Sequence, residues 1–318
     1  MRGNDLRIDA ILPTFNRADL VAKALESALS AEVPVDWEVR FFVVDNNSCD
    51  KTREVVARYS EMHENRITYL FEPQQGRHHA LNTGIAHSTA DIIAFFDDDE
   101  RLPPDWFALI AEAFQDEAVD YIAGPVRPDW SAPAPSWLPG DGYGGVLGII
   151  DNGTERRRYG ASGFMGMPTG GNFAIRRPVL DRCGPYSPEF MYSEDRYMYE
   201  QLVKINATGF YLPQLSIYHL IPSKRLRKSY FRRWAYTEGR NRGKLERQAR
   251  WTLGSMLGAP LWKWRQVAGA VVTILAGLLR GSRDHSNRFK AELDVIQFLG
   301  FYSGRNLRFV KDRYVDRS

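Results

Sequence analysis

Along the first half of the chain, short apolar runs alternate with segments whose apolar residues recur at helical spacing. The runs predict buried strands, and the segments between them predict amphipathic helices. Predicted strands cover residues 9–15, 38–46, 67–73, 91–97 and 121–126, and predicted helices cover residues 19–31, 50–63, 78–88 and 104–116. This alternation predicts an α/β fold with a Rossmann-like, mainly parallel sheet and helices on both faces.

Beyond residue 125 the pattern becomes less regular. Residues 125–148 are rich in Pro, Gly, Trp and Ala, which predicts a long irregular loop of the kind that often serves function. Further predicted elements are a turn and strand at 170–177, a helix at 194–206 and one or two strands within 210–220. After about residue 222 the chain is basic, then apolar and mostly helical. We therefore predict an α/β domain at residues 1–222 and a helical C-terminal extension at residues 223–318.

Charge is unevenly distributed along the chain. The formal net charge is +3, but residues 224–250 hold eleven Lys or Arg against two Glu, a local net charge of +9. Such a basic segment suits phosphates, an anionic membrane or nucleic acid. No recognised nucleic-acid-binding motif accompanies it, so we expect no nucleic-acid partner.

The cysteines and the apolar segments of the chain predict its cellular compartment. Cys49 and Cys183 lack metal-type spacing, which favours reduced thiols. No apolar stretch of signal-peptide length precedes the first strand, and no run reaches the length of a transmembrane helix. Residues 267–279 carry no charge and have Trp and cationic flanks, so they suit a buried helix, an oligomer contact or a membrane interface. We expect a cytoplasmic protein that associates peripherally with the inner face of the cytoplasmic membrane.

The most informative junction is a strand that runs into three consecutive aspartates. Residues 92–96 are apolar, and Asp97, Asp98 and Asp99 follow directly. Burying several carboxylates together is costly, so this strand end is expected at the edge of the sheet, where a cation can neutralise it. Mg²⁺ and Mn²⁺ prefer oxygen ligands and often share them with substrate phosphates. A solvated acidic turn explains the same residues, and taken alone the junction leaves both interpretations open.

Three further motifs precede this junction along the chain, and together with it they favour one class of protein. The first strand ends in PTFNR (residues 13–17), and the second ends in VDNNS (44–48), with Asp50 and Thr52 beyond it. A GxxxAxNxG pattern then spans residues 76–84. Singly, each motif also makes a good turn or helix start. In this order they resemble the GT-A family 2 glycosyltransferases over about the first 220 residues.

The resemblance implies roles for residues at the strand ends. In that family the first two strand ends hold the nucleotide, and an Asp-x-Asp motif binds ribose and a divalent metal. It implies nucleotide or donor contacts for Pro13, Thr14, Asn16, Arg17, Asp45, Gly76, Asn82, Asp97 and Asp98. It implies metal contacts for Asp99 and His219, with Mn²⁺ or Mg²⁺ as cofactor, although a lone His in an apolar stretch is more often a core residue.

The pair Glu194-Asp195 matches the Glu-Asp pair that begins a helix in the family. The match implies that Asp195 is the catalytic general base, with Glu194 beside it. Two acids at a helix N-terminus are also ordinary capping, because that end favours negative charge. The spacing does not decide which of the two accepts the proton.

Weaker candidates lie outside these motifs. Asn172, Trp130 and Trp137 are candidates for acceptor or sugar contacts, although the tryptophans also suit loop anchors. Arg225, Arg227 and Lys228 are candidates for diphosphate contacts, although a solvated helix face explains them too. Processive members of the family carry Gln-x-x-Arg-Trp, and here Tyr230 stands in place of the Gln before Arg233-Trp234.

The expected function is therefore inverting transfer of a single sugar. The donor would be a nucleotide sugar, with UDP the expected nucleotide, and the acceptor a hydroxyl of a glycan or lipid-linked glycan. A sugar-nucleotide pyrophosphorylase uses a related sheet, but it would need a Gly-rich basic loop after the first strand, where PTFNRAD has no Gly. A non-catalytic nucleotide-sugar-binding scaffold at a membrane is the other alternative, and the presence of Asp99, Asp195 and His219 argues against it.

Overall fold

The structure is a computed structural model, and it describes residues 6–63, 66–138, 144–187, 194–246, 255–256, 258–279 and 285–306. The chain divides into two compact units. The first comprises residues 1–129 and 149–220, and the second comprises residues 130–148 and 221–318. The functional boundary predicted at residue 222 stays a prediction, and the second unit also takes in residues of the proline-rich loop.

Strands and helices alternate along the first part of the chain. The strands up to residue 221 are β1 (Leu6–Thr14), β2 (Trp37–Asp45), β3 (Ile67–Phe71), β4 (Ile92–Phe95), β5 (Glu100–Arg101), β6 (Tyr121–Ala123), β7 (Val126–Trp130), β8 (Arg157–Arg158), β9 (Phe173–Arg176), β10 (Gly209–Tyr211) and β11 (Ile217–Ile221). The helices are α1 (Ala18–Ser30), α2 (Thr52–Met62), α3 (Arg77–His87), α4 (Trp106–Ala113), α5 (Arg177–Cys183) and α6 (Glu194–Lys204). Every strand and helix predicted up to residue 126 is confirmed, with ends that differ by a few residues.

Eight of these strands form one sheet in the order β3-β2-β1-β4-β9-β6-β10-β8. The first four are parallel to their neighbours. β9 is antiparallel to β4 and to β6, whereas β10 is parallel to β6 and antiparallel to β8. The predicted α/β fold with a mainly parallel sheet is confirmed, and its antiparallel strands come from the later part of the unit. β5, β11 and β7 form a separate three-stranded sheet.

The central strand β1 shows why both faces of the large sheet are covered. Its residues are buried without interruption from Ile8 to Thr14. Successive strand side chains point to opposite faces, so a strand that is buried throughout needs packing on both sides. Ile8, Ala10 and Leu12 belong to the apolar cluster that includes residues of α1, α2 and α4. Ile11 belongs to a second cluster, which includes residues of α3.

The second unit is helical within its described residues. Its elements are α7 (Lys228–Leu245), α8 (Leu261–Leu279), α9 (His285–Asn306) and the short strands β12 (Ser255–Met256) and β13 (Ala259–Pro260). α7 and α9 pack closely through glycines, because an added Cβ would lie 1.9–2.1 Å from a carbonyl oxygen of the facing helix. These glycines are Gly239 and Gly243 of α7 and Gly300 and Gly304 of α9.

Helix α8 contains the apolar segment predicted at residues 267–279, and it begins earlier, at Leu261. Much of its apolar side is exposed: Val272 is 64%, Leu275 53% and Leu278 62% accessible. Within the part of the chain that the structure describes, no helix has both the length and the apolar composition needed to cross a membrane. The cationic flanks at Arg280 and Arg283 lie outside the described residues.

Candidate active site

The sheet brings the ends of three strands together at one edge. Thr14, the last residue of β1, is in register with Asp45, the last residue of β2. β4 pairs with the other side of β1, and the chain continues from it into Asp97, Asp98 and Asp99. The Thr14 hydroxyl donates a hydrogen bond of 2.8 Å to Asp98 Oδ2. Residues far apart in sequence therefore meet where parallel sheets bind their ligands, at the carboxyl ends of the strands.

Asp45 is a buried carboxylate with both oxygens engaged. Its Oδ1 accepts a hydrogen bond of 2.8 Å from the Ser48 backbone, and its Oδ2 accepts one of 2.8 Å from the Tyr69 hydroxyl. Burial together with the hydrogen bond to Asp45 raises the pKa of Tyr69 to about 12. Asp45 therefore organises the turn after β2, and direct nucleotide contact by its carboxylate stays a prediction.

The turns after β1 and β2 are fastened to each other. Asn16 adopts a left-handed conformation with φ of 51°, which Asn tolerates better than most residues. Its side-chain oxygen accepts a hydrogen bond of 2.8 Å from the Cys49 backbone, and its own backbone N–H donates one of 2.8 Å to Ser48 Oγ. The Asp50 carboxylate accepts hydrogen bonds from the backbone N–H groups of Thr52 and Ala18, and so joins the starts of α2 and α1. These bonds hold the predicted nucleotide-binding turns in one arrangement.

Gly76 and Asn82 shape the segment that leads into and along α3. Gly76 has φ of 141°, and a Cβ there would lie 2.5 Å from the His78 ring. Its N–H donates a hydrogen bond of 2.8 Å to Asn46 Oδ1, which ties this turn to the end of β2. The Asn82 amide exchanges two hydrogen bonds of 2.9 Å with the backbone of Tyr186. Both residues thus fix backbone positions near the strand ends.

The carboxylates of Asp98 and Asp99 share one guanidinium group. Arg17 Nη1 lies 2.6 Å from Asp98 Oδ1 and 3.1 Å from Asp99 Oδ2. Burial raises the pKa of Asp98, because water no longer solvates its charge, while Arg17 acts in the opposite direction. His219 Nε2 lies 3.3 Å from Asp99 Oδ2. His219 is the middle residue of β11 and lies opposite Glu100 in the register.

Asp99 and His219 suit a divalent cation that is shared with a substrate. A carboxylate oxygen and an imidazole nitrogen 3.3 Å apart can bind the same ion. Among the described residues, no group of three or more His, Cys, Asp and Glu side chains is placed to hold a metal. An ion bound here would therefore take its remaining ligands from water and a diphosphate, an arrangement common for Mg²⁺.

Glu100 is a fourth acid in this cluster, and the sequence reasoning missed it. Its side chain is buried, and its Oε2 accepts a hydrogen bond of 2.6 Å from the Asp97 backbone. Burial and the nearby Asp97 carboxylate raise the pKa of Glu100 well above its usual range. A Cβ added at Gly171 would lie 2.4 Å from Glu100 Oε1, so a side chain there would displace this acid. The fourth acid directly after the triple aspartate was the available signal.

The carboxylate predicted as the base lies beside the same cluster. Arg77 Nη2 lies 2.7 Å from Asp97 Oδ1, and Arg77 Nη1 lies 3.7 Å from Asp195 Oδ1. Burial raises the pKa of Asp195, and the positive charge of Arg77 opposes that effect. Glu194 and Asp195 both begin α6. Arg77 was not among the sequence candidates, although it directly follows Gly76 in the motif that was recognised.

Asn172, the weak candidate for a sugar contact, has its polar groups engaged within the protein. Its side chain is fully buried. Its amide nitrogen donates to the carbonyls of Pro125 and Leu215 at 3.1 and 2.6 Å, and its oxygen accepts from Trp106 Nε1 at 3.0 Å. These bonds give Asn172 a structural role in joining neighbouring segments, and the sugar contact stays a prediction.

The remaining weak candidates belong to the second unit, whereas the strand ends above belong to the first. Trp137 packs edge-on against Phe231 and Phe289, at ring distances of 5.3 and 5.0 Å, which favours an anchoring role. Lys228 Nζ lies 5.0 Å from the centre of the Phe289 ring. Trp130 is half-buried at the end of β7. The ligand contacts predicted for these residues, and for Arg225 and Arg227, stay predictions.

Comparison with known proteins identifies the family. The model of glycosyl transferase family 2 matches residues 9–184, which is more than half of the chain. The chain belongs to glycosyl transferase family 2. This confirms the resemblance seen in the strand-end motifs, and the protein is a glycosyltransferase.

Curated relatives are similar in sequence to this glycosyltransferase over different lengths of the chain. The succinoglycan biosynthesis protein ExoM of Rhizobium meliloti (strain 1021) is 24% identical over 246 residues, which is 77% of each chain. Glycosyltransferase AglE of Haloferax volcanii is 32% identical over 121 residues, 38% of this chain and 39% of AglE. The GalNAc(5)-diNAcBac-PP-undecaprenol beta-1,3-glucosyltransferase of Campylobacter jejuni is 31% identical over 98 residues, 30% of each chain.

Solved structures show that this glycosyltransferase has the GT-A fold. The mannosyltransferase PcManGT from Pyrobaculum calidifontis, solved with GDP-Man and Mn²⁺, superposes with a TM-score of 0.61 at 18% identity and covers 93% of this chain and 86% of its own. Residues 1–349 of TarS from S. aureus superpose with a TM-score of 0.52 at 13% identity and cover 90% of each chain. At these identities the likeness concerns the fold alone.

Proposed function

We propose that the enzyme transfers a single sugar, with inversion, from a nucleoside-diphosphate donor to a hydroxyl of a glycan or lipid-linked glycan. The observation that carries the proposal is the reach of Arg77, whose guanidinium group contacts both Asp97 and Asp195. The carboxylate that would accept a proton therefore lies within one side chain of the acidic corner that would hold the donor. An inverting transfer needs the base close to the bound donor, because the acceptor oxygen attacks one face of the anomeric carbon while the diphosphate leaves from the opposite face.

The proposed reaction breaks one bond and forms another at the anomeric carbon of the sugar. The acceptor oxygen bonds to that carbon, the bond from the carbon to the diphosphate oxygen breaks, and the acceptor proton passes to Asp195. Asp99 and His219 would hold the divalent ion, and such an ion would neutralise charge on the diphosphate leaving group. Thr14, Asn16, Asp45 and Gly76 would shape the nucleotide pocket through the turns that they organise.

Two nucleotides are candidates for the donor. UDP is the nucleotide expected from the family resemblance, whereas the solved structure of PcManGT contains GDP-Man and Mn²⁺. For the acceptor, the names of two relatives refer to succinoglycan biosynthesis and to an undecaprenol-linked glycan. We therefore propose a lipid-linked or polysaccharide acceptor for this enzyme, a divalent cofactor that is Mn²⁺ or Mg²⁺, and UDP as the first nucleotide to test.

A thermal-shift panel of nucleotide sugars with MnCl₂ or with EDTA tests the proposal. We expect UDP-sugars or GDP-mannose to raise the melting temperature with Mn²⁺ and to lose most of that effect with EDTA, because ligands that bind only the native state stabilise it. Release of nucleoside diphosphate from the stabilising donor then tests transfer. Formation of a nucleotide sugar from a nucleoside triphosphate and a sugar 1-phosphate would instead support a pyrophosphorylase. Stabilisation by a nucleotide sugar without any turnover would support a binding scaffold.

The proposal includes contact with an anionic membrane through α8. Its exposed apolar side bears Val272, Leu275 and Leu278, and its first turns bear the exposed Trp262 and Arg265. A helix with an apolar side, an interfacial Trp and cationic residues lies well in the headgroup region of a bilayer. A lipid-linked acceptor would then be presented at the same surface as the enzyme.

Vesicle flotation checks this contact. We expect the enzyme to float with vesicles that contain phosphatidylglycerol, and the Leu275→Asp/Leu278→Asp double variant to lose most of that binding, because charge opposes insertion of the apolar side. Val35→Asp is the matched control, since Val35 is fully exposed but lies in the first unit. If the double variant floats as the wild type does, α8 is not the contact. A change from dimer to monomer in the same variant, without vesicle binding by the wild type, would assign α8 to a second copy of the chain.

A further inference from the structure

Within this proposed function, we propose that Arg77 is a positioning residue that joins the donor side of the active site to the base. Its guanidinium group contacts Asp97, next to the acidic corner, and Asp195, the carboxylate that takes the acceptor proton. One rigid, planar side chain thus fixes the second carboxylate relative to the first. No sequence motif considered above assigned this residue a role.

The geometry of Arg77 follows from its place in the fold. It is the first residue of α3, directly after the turn at Gly76. Its Nε and Nη2 both donate to Asp97 Oδ1, at 3.1 and 2.7 Å, which leaves Nη1 directed at Asp195 Oδ1, 3.7 Å away. A guanidinium group carries five N–H donors in fixed directions, so holding two carboxylates at once is a task to which Lys is poorly suited.

The two oxygens of Asp195 face different surroundings. Oδ1 is buried, and the nearby charge of Arg77 together with the backbone N–H of Gly170 favours the ionised carboxylate. The side chain as a whole is 34% exposed, and since Oδ1 is buried, that exposure belongs to its other atoms. With Oδ1 positioned by Arg77, the other oxygen of Asp195 can accept the proton of an incoming hydroxyl group.

Gly170 completes this arrangement by leaving space for it. A Cβ at this position would lie 2.5 Å from Asp195 Oδ1 and 3.2 Å from Arg77 Nη1. The first distance is shorter than real contacts allow, so a side chain here would push Asp195 away from Arg77. The Gly170-Gly171 pair, which by sequence also suits a simple turn, is thus needed to let two acids pack near the corner.

Electrostatics points the same way as the geometry. Burial raises the pKa of Asp195, the charge of Arg77 opposes it, and the neighbouring acids Glu194 and Asp97 add to the rise. Tyr186 also faces this carboxyl group, and burial raises the pKa of that phenol. A general base must be ionised to work. Removing the positive charge of Arg77 would therefore raise the pKa of Asp195 further and shift its ionisation to higher pH.

A carboxyl NMR titration of the full-length, metal-free protein labelled at aspartate Cγ tests the inference directly. The Asp195→Asn variant identifies the signal. We expect Arg77→Gln to raise the apparent pKa of Asp195 by about one unit or more, because a cation within about 4 Å of a partly exposed acid is lost. Arg77→Lys should retain part of the effect. An unchanged titration of Asp195 in Arg77→Gln would overturn the proposal.

Two further variants separate positioning from folding. Arg177→Gln is the matched control, because the Arg177 side chain has the same 28% exposure as that of Arg77 and pairs with Asp181, away from Asp195. It should leave the Asp195 titration unchanged. Gly170→Ala keeps both charges but displaces the carboxylate, so it too should raise the pKa of Asp195 and serves if Arg77→Gln fails to fold.

Turnover gives a second readout, in which nucleoside diphosphate release from UDP-glucose and GDP-mannose is followed against pH. We expect Arg77→Gln to lower the maximal rate about 10²-fold, the scale associated with a misplaced catalytic group, and to move the acidic limb of the profile to higher pH. Rates that fall with no shift of that limb would leave Arg77 only a structural role and overturn the proposal. If the wild type turns over neither donor, the proposed function fails on these substrates, while the NMR titration still decides the role of Arg77.

Discussion

Replacing Asp195 with asparagine is expected to lower sugar transfer about 10²- to 10⁴-fold, the range that a positioned acid or base contributes, while donor binding is retained. Asparagine has nearly the same shape as aspartate but cannot accept the acceptor proton. The substitution also leaves the Arg77–Asp97 pair in place, so the acidic corner that would hold the donor keeps its arrangement. Transfer rates together with calorimetric titration of the nucleotide donor measure the two effects separately.

Glu194→Gln is the decisive companion to this variant, because the sequence did not distinguish the two acids. The structure favours Asp195, since it is the one that contacts Arg77. We expect Glu194→Gln to retain far more activity than Asp195→Asn. Near-normal turnover by Asp195→Asn, with a large loss in Glu194→Gln, would move the base to Glu194. Asp181→Asn serves as a general control, because its exposed ion pair with Arg177 lies outside the site.

The sequence predicted the parallel half of the sheet well, for a physical reason. Strands such as β1 are buried on both faces, so nearly every residue is apolar and the run is recognisable. Helix α1 is equally recognisable, because its buried residues recur at helical spacing. The direction of β9 could not be read in the same way. FAIR at residues 173–176 is compatible with either direction, and only its partners β4 and β6 make it antiparallel.

The sequence predicted the site residues that belong to a motif at the end of a strand. It did not predict the contacts between segments that are distant in sequence. Asp99 and His219, far apart in sequence, lie 3.3 Å apart, a proximity compatible with the shared metal contact that the family resemblance implies. The burial of Asn172 could not be predicted, because it depends on Trp106 and Leu215, which no local pattern connects to it. Arg77 was missed because an arginine after a glycine turn suggests nothing until Asp195 is placed beside it.

The helical extension shows the same limit. A basic and then apolar helical segment was expected from composition, and the helices α7, α8 and α9 are present. The close packing of α7 on α9 through Gly239 and Gly300 was not expected, because four-residue spacing of glycines acquires meaning only when two helices face each other. Glycine is unfavourable in a helix interior, so its position there is explained by the contact and not by local preference.

Replacing Asp99 with alanine is expected to abolish the dependence of donor binding on a divalent metal. Asp99 Oδ2 lies close to both His219 Nε2 and Arg17 Nη1. A metal ion bound to this oxygen and to His219 would take the place of the Arg17 guanidinium group. Without that oxygen, His219 alone remains of the two proposed ligands, and a hard cation prefers oxygen. Calorimetric titration of UDP and of GDP, each with and without Mn²⁺, measures the dependence.

Asp129→Ala is the matched control for this prediction, because Asp129 pairs with Arg101 on the strands of the same small sheet but bears no proposed ligand role. It should leave the Mn²⁺ dependence intact. Equal nucleotide affinity with and without Mn²⁺ in the wild type would show that the corner does not use a metal. A persistent Mn²⁺ dependence in Asp99→Ala would place the ion on other side chains. The geometry requires that Asp99→Ala loses the metal dependence and that Asp129→Ala keeps it. In Asp99→Ala, Arg17 would still pair with Asp98.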